Sequence, residues 1–344
     1  MTTFQALIAR KGTSGVTVAL ENVPMTDLMP GDTLVRVTHS TINYKDGLAM
    51  LGLNKVVPRY PLIPGLDLAG VVEETTHPAL RVGERVILNG RGSGTSRHGG
   101  YAQFARVLGD DLIPCPPAFT NAQAMAVGIA GYTAMLCVMR LEAHGITPDS
   151  GPVLVTGAAG GVGSVAIALL SHLGHEVDAL SGRPELADYL MSLGARRVLP
   201  RAALGGDIRA LEHARWAAAV DVVGGPILAH AIASIRPTGI VAACGLAGGM
   251  DLPTNVAPFI LRAVTLAGIN CADVPRTRQI AAWDRLARDL LPARLAAMTT
   301  HVSLAQTPAF AQKIVAGAVR GRLVVDIPSP RPDEPAAAGI KGLE

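Results

Sequence analysis

The chain is poor in the features that mark several protein classes. Aromatic residues are only 3% of its 344 positions and charged residues 17%, so Val, Leu, Ile and Ala must build the core. The formal net charge is only +3. No basic run interleaved with aromatics occurs, so no nucleic-acid partner is expected. No continuous apolar stretch reaches the about 18 residues of a membrane span, so no membrane partner is expected. The start, Met1 to Ile8, reads as a strand and lacks the charged region and long apolar core of a signal peptide. The four cysteines, Cys115, Cys137, Cys244 and Cys271, form no C-x-x-C pair. Their scatter argues against a zinc cluster and against a disulfide framework, and is the pattern of reduced, buried thiols in a cytoplasmic protein.

What is present is a globular composition with 49% hydrophobic residues and a length that predicts two domains. Its most informative segment runs from Val153 to Ser164. An apolar run, Pro152 to Thr156, stops in a glycine cluster, and a helical pattern, Val162 to Leu173, follows at once. That strand–turn–helix order is the shape of a dinucleotide site. Glycines let the backbone approach a pyrophosphate, and the helix N-terminus supplies N–H donors and a positive dipole end. In the G-x-G-x-x-G pattern Ala158 stands at the first glycine, and Gly160 and Gly163 fill the others. Ala159, Gly160, Gly161 and Val162 are the candidate phosphate cradle.

An NAD site usually places an acid about 20 residues beyond the glycines. Here that place holds Ser181, Gly182 and Arg183, while Asp178 lies earlier, inside the strand. A hydroxyl and a forked guanidinium suit a 2′-phosphate, so the cofactor predicted is NADPH rather than NADH. Arg197, at the start of the next strand, is expected to add a second positive charge.

Before residue 122 the chain shows short β runs punctuated by turns, as in a β-rich, partly open barrel. Asn121 to Leu141 reads as a long helix in which Gly128 and Gly131 allow close packing. From Pro152 strands (153–156, 176–180, 197–199, 219–223, 239–243, 265–270) alternate with helices (162–173, 185–193), which predicts a doubly wound parallel sheet and an α/β fold. A helix from Arg276 to Leu290 is expected to leave this domain, followed by a helix over 307–318 and a strand over 321–327. The expected division is 1–122, first part of the β-rich domain; 123–273, nucleotide domain; 274–328, return to the first; and 329–344, a disordered tail rich in Pro, Ala and Gly.

Taken together, these segments resemble the medium-chain dehydrogenase/reductase superfamily. The best fit is its zinc-independent, quinone-reductase-like branch, and within that the NADPH-dependent acryloyl-coenzyme A reductase family. The resemblance is carried by Leu34–Asp46 with its Asn43-Tyr-Lys-Asp46 string, Pro61–Gly70, Gly99–Ala102, Gly131–Met139, Thr156–Ser164, Ser181–Arg183 and Ala242–Gly248. It implies a Rossmann domain beside a GroES-like catalytic domain, an acyl-CoA substrate and a homodimer paired through strand Thr265–Asn270. Zinc-dependent relatives carry Cys in the Asn43 region and a Gly-His-Glu where this chain has Gly65-Leu66-Asp67, so no metal is expected. The implied reaction is reduction of acryloyl-CoA to propanoyl-CoA, with hydride delivered to the β-carbon and a proton to the α-carbon. Tyr44 and Asn43 lie in the string matching the active-site loop, and Tyr44 is the candidate donor. Lys45 and Asp46 are expected to pair locally. Leu246, Ile269 and Asn270 are expected on the nicotinamide side and Arg322 near the cofactor phosphates, whereas His98 is expected to be structural. A quinone or alkenal reductase of the same fold, and a non-enzymatic binding protein, remain as alternatives.

Overall fold

The computed structural model describes residues 3–330, which divide into two compact units. The tail expected to be disordered lies, from residue 331 on, outside the described residues.

The first unit opens with an antiparallel hairpin, β1 (Thr3–Gly12) and β2 (Gly15–Pro24). The mainly antiparallel sheet that follows contains β3 (Thr33–Thr41), β4 (Asp67–Thr75), β5 (Arg85–Asn89), β6 (Phe104–Val107) and the two-residue β7 (Ile113–Pro114). β4 bonds to β3 on one side and β5 on the other, and β6 pairs with the start of β3. Val35, Val37, Leu68, Ala69, Val86 and Ile87 from these strands are buried and form much of its core. A short helix, α1 (Tyr44–Leu51), leaves β3 through Asn43 and stops at left-handed Gly52.

Helix α2 (Asn121–Ala143) is broken at Gly128, whose φ of 50° and ψ of −164° are far from helical. The chain passes from the first unit to the second at this glycine. Gly128 therefore interrupts the helix, rather than serving as the helix-packing position expected from the sequence. By length and apolarity α2 would suffice to cross a membrane, but 83% of its most apolar window is buried inside the protein.

The second unit is built on six parallel strands: β8 (Val153–Val155), β9 (Val177–Ser181), β10 (Arg197–Pro200), β11 (Trp216–Asp221), β12 (Ile235–Ala243) and β13 (Thr265–Gly268). Their order across the sheet is β10-β9-β8-β11-β12-β13, the doubly wound arrangement with its reversal between β8 and β11. β8 and β11 are buried at every position, as strands covered on both faces must be. The connecting helices are α3 (Gly161–His172), α4 (Ala187–Ser192), α5 (Gly225–Ala233) and α6 (Ala257–Leu261).

Four points differ from the expected arrangement. β11 begins at Trp216, earlier than the predicted Ala219, because the Trp216 indole is buried and donates to Asp178 Oδ2 at 2.7 Å. α5 was hidden behind Gly224-Gly225-Pro226, which reads as a turn; proline is tolerated in a first helical turn, where no N–H is needed. Helices α7 (Arg276–Asp289) and α8 (Pro292–Ala297) group with the second unit up to Thr299, rather than returning to the first at 274. From Thr300 the first unit resumes with the rest of β14 (Thr299–Ser303), α9 (Ala311–Val315) and, after 319–322, which group with the second unit, the remainder of β15 (Arg322–Asp326). The helix expected over 307–318 shortens to α9 because Pro308 sits in a 3-10 segment before it.

Candidate functional site

In the second unit α3 starts at Gly161 with Gly160 as its N-cap, and no side chain caps it. Its first-turn N–H groups and dipole form an anion site of the expected kind. The third glycine position is a packing requirement: a Cβ on Gly163 would lie 2.5 Å from Gly157 O and 2.7 Å from Ala158 Cα. The turn is pinned by Ser164, which donates to Ala158 O at 3.3 Å and accepts from the Tyr189 hydroxyl at 2.9 Å. Arg322 is 2% exposed, and its guanidinium lies against the same helical turn, 2.7 Å from where a Gly161 Cβ would stand. A fixed cation and a helix N-terminus thus converge on one spot, an arrangement that favours an anion there. The cradle, the converging charges and the glycine at the point of closest approach fit a dinucleotide pyrophosphate.

Ser181 closes β9, and its hydroxyl accepts from the Arg183 N–H at 3.1 Å. The Arg183 guanidinium reaches back over the glycine turn and donates to Ala159 O at 3.3 Å and to Val319 O at 3.0 Å. Burial pushes its pKa down from the usual arginine value. Arg183 therefore joins the predicted phosphate turn to the glycine cradle. Arg197 does not belong with it. It pairs across the sheet with Asp178, three residues before the strand end that carries Ser181, and donates to both Asp178 oxygens at 3.0 and 2.7 Å. Burial raises the Asp178 pKa, but hydrogen bonds from Arg197, Trp216 and Arg196 outweigh it and hold the carboxyl below its usual range.

The cation that lies at the turn is Arg201, just past the end of β10. Its guanidinium atoms stand 3.1–3.2 Å from an ideal Gly182 Cβ, so Gly182 gives it room. Among the described residues no side-chain hydrogen bond or ion pair engages it. Parallel sheets bind ligands outside the carboxyl ends of their strands, and counting from the end of the 197–200 strand rather than its start would have pointed to Arg201.

Leu246 is 57% exposed, in the loop after β12. Ile269 and Asn270 follow β13, but the Ile269 N–H is committed to Ala243 O at 2.9 Å. The Asn270 amide closes its own turn, accepting from the Ala272 N–H at 2.9 Å and donating to Asp273 at 3.0 Å. It is thus occupied, rather than presented to a carboxamide as expected.

In the first unit Asn43 caps α1 and Tyr44 is exposed at the helix start. Lys45 and Asp46 do not pair: Lys45 faces solvent while Asp46 is fully buried. Asp46 Oδ2 accepts from the Asn43 N–H at 2.8 Å and Asn43 Nδ2 at 3.1 Å, and Oδ1 from the Leu66 N–H at 2.8 Å. The Asn43 amide also donates to Asp67 Oδ2 at 2.9 Å, and Asn89 donates to Asp67 Oδ1 at 2.9 Å. Burial and the neighbouring Asp67 push the Asp46 carboxyl up to about 7, against the opposing pull of its three N–H donors. The sequence hint that was missed is Asp67 itself, an acid inside the otherwise apolar Leu66–Val72 run. A zinc ion does not fit here. Asn43 and Leu66 supply an amide and an alkyl group, and both Asp67 oxygens already accept amide protons, whereas zinc requires free thiolate, imidazole or carboxylate ligands. His98, expected to be structural, accepts from the Ile63 N–H at 3.2 Å, and burial lowers its pKa.

Two family models match: an alcohol dehydrogenase GroES-like domain over residues 29–117 and a zinc-binding dehydrogenase domain over 161–288. An acrylyl-CoA reductase of Ruegeria pomeroyi is 48% identical over 327 residues, covering 94% of this chain and 99% of the relative. A Salmonella enterica oxidoreductase solved in complex with NADP superposes with a TM-score of 0.93 at 45% identity, covering 94% of this chain and all (100%) of that one. A Bacillus subtilis protein solved with NAD bound gives 0.91 at 42% identity, covering 95% and 100%. The chain belongs to the acrylyl-CoA reductase family of the medium-chain dehydrogenase/reductase superfamily.

Proposed function

We propose that this protein is an NADPH-dependent reductase that converts acryloyl-CoA to propanoyl-CoA. The observation that carries the reading is the near-complete match to the Ruegeria acrylyl-CoA reductase, joined to a phosphate turn equipped with Ser181, Arg183 and Arg201. Ala159, Gly160, Gly161 and Val162, with Arg322 against the same helical turn, would hold the pyrophosphate. Ser181, Gly182, Arg183 and Arg201 would hold the 2′-phosphate, with Arg183 tying the two anion sites together. Leu246 and Ile269 are assigned to the nicotinamide side. Bound NADPH supplies the hydride.

The substrate's thioester withdraws electrons from its double bond, so the β-carbon accepts hydride and negative charge develops on the thioester oxygen. A fixed hydrogen-bond donor lowers that barrier. Tyr44 is assigned this role, because its phenol is exposed at the head of α1 while Asn43 beneath it is locked to Asp46 and Asp67. The lock fixes the helix start from which the hydroxyl projects. A proton then reaches the α-carbon, from Tyr44 or from solvent.

The second unit supports assignment as a homodimer. β13 is an edge strand of the parallel sheet, and nearby Met250, Val256, Ile260 and Leu261 are exposed apolar side chains. An unpaired edge bordered by apolar residues suits two-fold pairing with a second copy. Among the described residues no disulfide joins the cysteines, which supports a cytoplasmic location.

The test is NADPH consumption with acryloyl-CoA, crotonoyl-CoA and a small quinone. Turnover of acryloyl-CoA with the highest kcat/KM is expected. Turnover of the quinone alone would replace this reading with a quinone reductase, and absence of NADPH binding would replace it with a non-enzymatic role.

A further inference from the structure

At the reversal point of the parallel sheet one buried acid bonds to three segments at once. Asp221 closes β11, and Thr156 follows β8 and opens the glycine turn; both are fully buried. The Thr156 hydroxyl donates to Asp221 Oδ1 at 2.6 Å and accepts from the Val222 N–H at 3.0 Å. Asp221 Oδ2 accepts from the Gly224 N–H, at the head of α5, at 2.7 Å. The Asp221 carbonyl oxygen accepts from the Cys244 N–H at 2.9 Å, where the loop that carries Leu246 begins. That loop is held a second time by the Gly248 N–H, which donates to Val223 O at 2.7 Å. It runs so close that a Cβ on Gly224 would stand 3.1 Å from Leu246 Cα and 2.9 Å from Gly249 O. A Cβ on Gly157, in the glycine turn, would meet the Val222 and Val223 side chains at 3.3 Å. The 221–225 segment is thus in contact with both the glycine turn and the 244–249 loop, and Asp221 bonds to all three.

We propose that Asp221, through its bond to Thr156, is a positioning residue for hydride transfer: it holds the loop carrying Leu246 at a fixed distance from the glycine cradle, so that a seated pyrophosphate delivers the nicotinamide in one orientation. The inference rests on the NADPH-dependent reading above, with the pyrophosphate in the cradle and Leu246 on the nicotinamide side. Both side chains are buried, and their polar atoms are bonded to each other and to backbone, so their action is indirect. A carboxyl group is costly to bury unless its oxygens are bonded, and here each oxygen has a donor from a different residue. A hydroxyl-to-carboxylate bond is short and directional. Thr156 is branched at Cβ, which leaves its hydroxyl few rotamers. An apolar pair of the same size would fill the space without fixing a direction. The glycine cradle itself does not depend on this bond: Ser164 pins it through Ala158 O, and Arg183 through Ala159 O. Breaking the Thr156–Asp221 bond therefore leaves the pyrophosphate site in place and frees the nicotinamide end.

The experiment compares Thr156→Val, Thr156→Ser and Asp221→Asn with wild type in the full-length protein. Each is titrated with NADPH, following nicotinamide emission, and with 2′-phospho-ADP-ribose, which carries the pyrophosphate but no nicotinamide. Steady-state kinetics with acryloyl-CoA and thermal midpoints complete the set. Thr156→Val should bind 2′-phospho-ADP-ribose within about twofold of wild type. Its bound NADPH should emit like the free cofactor, and its kcat should fall by about 10²-fold, the scale of an ångström misplacement, with KM for the thioester unchanged. Thr156→Ser keeps the hydroxyl and should restore emission and kcat. Asp221→Asn should behave as Thr156→Val, because its amide turns a donor toward either the Thr156 hydroxyl or the Gly224 N–H. Thr156→Val conserves volume and decides the matter if Asp221→Asn does not fold. Wild-type emission and kcat in Thr156→Val, or a parallel loss of both ligands, would overturn the proposal. So would a collapse of its thermal midpoint, which would assign the bond to stability alone. The two titrations need no substrate, so a failure of the acryloyl-CoA assignment leaves them intact, whereas a wild type that binds neither ligand overturns both readings.

Discussion

Replacing Arg201 with alanine tests the cofactor assignment most directly. The guanidinium stands 3.1–3.2 Å from an ideal Gly182 Cβ and has no side-chain partner among the described residues, so its removal breaks nothing in the protein. What is lost is one charge-assisted contact to a phosphate. Such a contact is worth about 1.5–3 kcal/mol. Arg201 is exposed, and solvent screening trims this to about 1–2 kcal/mol. At 1.4 kcal/mol per tenfold that is a weakening of NADPH binding by about 5- to 30-fold. NADH has no phosphate at that position and should bind within about twofold of wild type by the same arithmetic. Fluorescence titration with both cofactors at two salt concentrations is the assay, and the NADPH difference should shrink as salt rises. Arg183→Ala supplies the contrast. Arg183 also holds the carbonyls of Ala159 and Val319, so its loss loosens the glycine cradle and should weaken both cofactors. Equal losses of NADPH and NADH in Arg201→Ala, or none, would refute the 2′-phosphate assignment.

Four further outcomes are expected. Asp46 titrates near 7 in the folded protein but near 4 when unfolded, so between these values the native state holds a proton the unfolded chain has lost. The stability of wild type relative to Asp46→Asn should fall as pH rises from about 4 to about 7, and level off above; a pH-independent difference in thermal midpoints would sink this. Gly163→Ala forces a methyl against backbone atoms at 2.5 and 2.7 Å. It should lower stability by about 1–3 kcal/mol and abolish tight NADPH binding, so an unchanged midpoint and affinity would contradict the packing role. Tyr44→Phe should reduce kcat by about 10²-fold, the scale of a lost transition-state donor, with NADPH affinity unchanged; full activity would remove Tyr44 from the mechanism. Ile260→Glu should shift the protein from dimer to monomer in sedimentation, and a dimer of unaltered affinity would place the interface elsewhere.

The glycine turn was legible because its signal is local: an apolar strand, a glycine cluster and a helical run follow one another within the 153–173 segment. The alternation of strands and helices that implies a parallel sheet was legible for the same reason. Helix α5 was hidden because Gly224-Gly225-Pro226 carries a turn signal at a place where the chain also starts a helix. Arg201 follows the carboxyl end of the 197–200 strand, the end at which a parallel sheet receives its ligand, so it was within reach of the sequence, whereas Arg197 stands at the opposite end of that strand. Asp46 was read as Lys45's partner because adjacency is visible in sequence. The burial that turns Asp46 inward, and the arrival of Asp67 from β4, are not.

The sequence by itself determined the doubly wound nucleotide unit, the turn at Ser181–Arg183 and the resemblance to a reductase family, because each rests on residues within a few positions of one another. Only the tertiary structure decided which charges meet. It set Arg197 on Asp178, put Arg201 over Gly182, laid Arg322 against Gly161, and joined Asp46 to Asp67 through Asn43. Each of these meetings brings together residues from separate elements or from the turns that follow different strands. Whether two polar groups meet depends on strand register and burial, which the packing of the whole unit fixes and no local run of residues encodes.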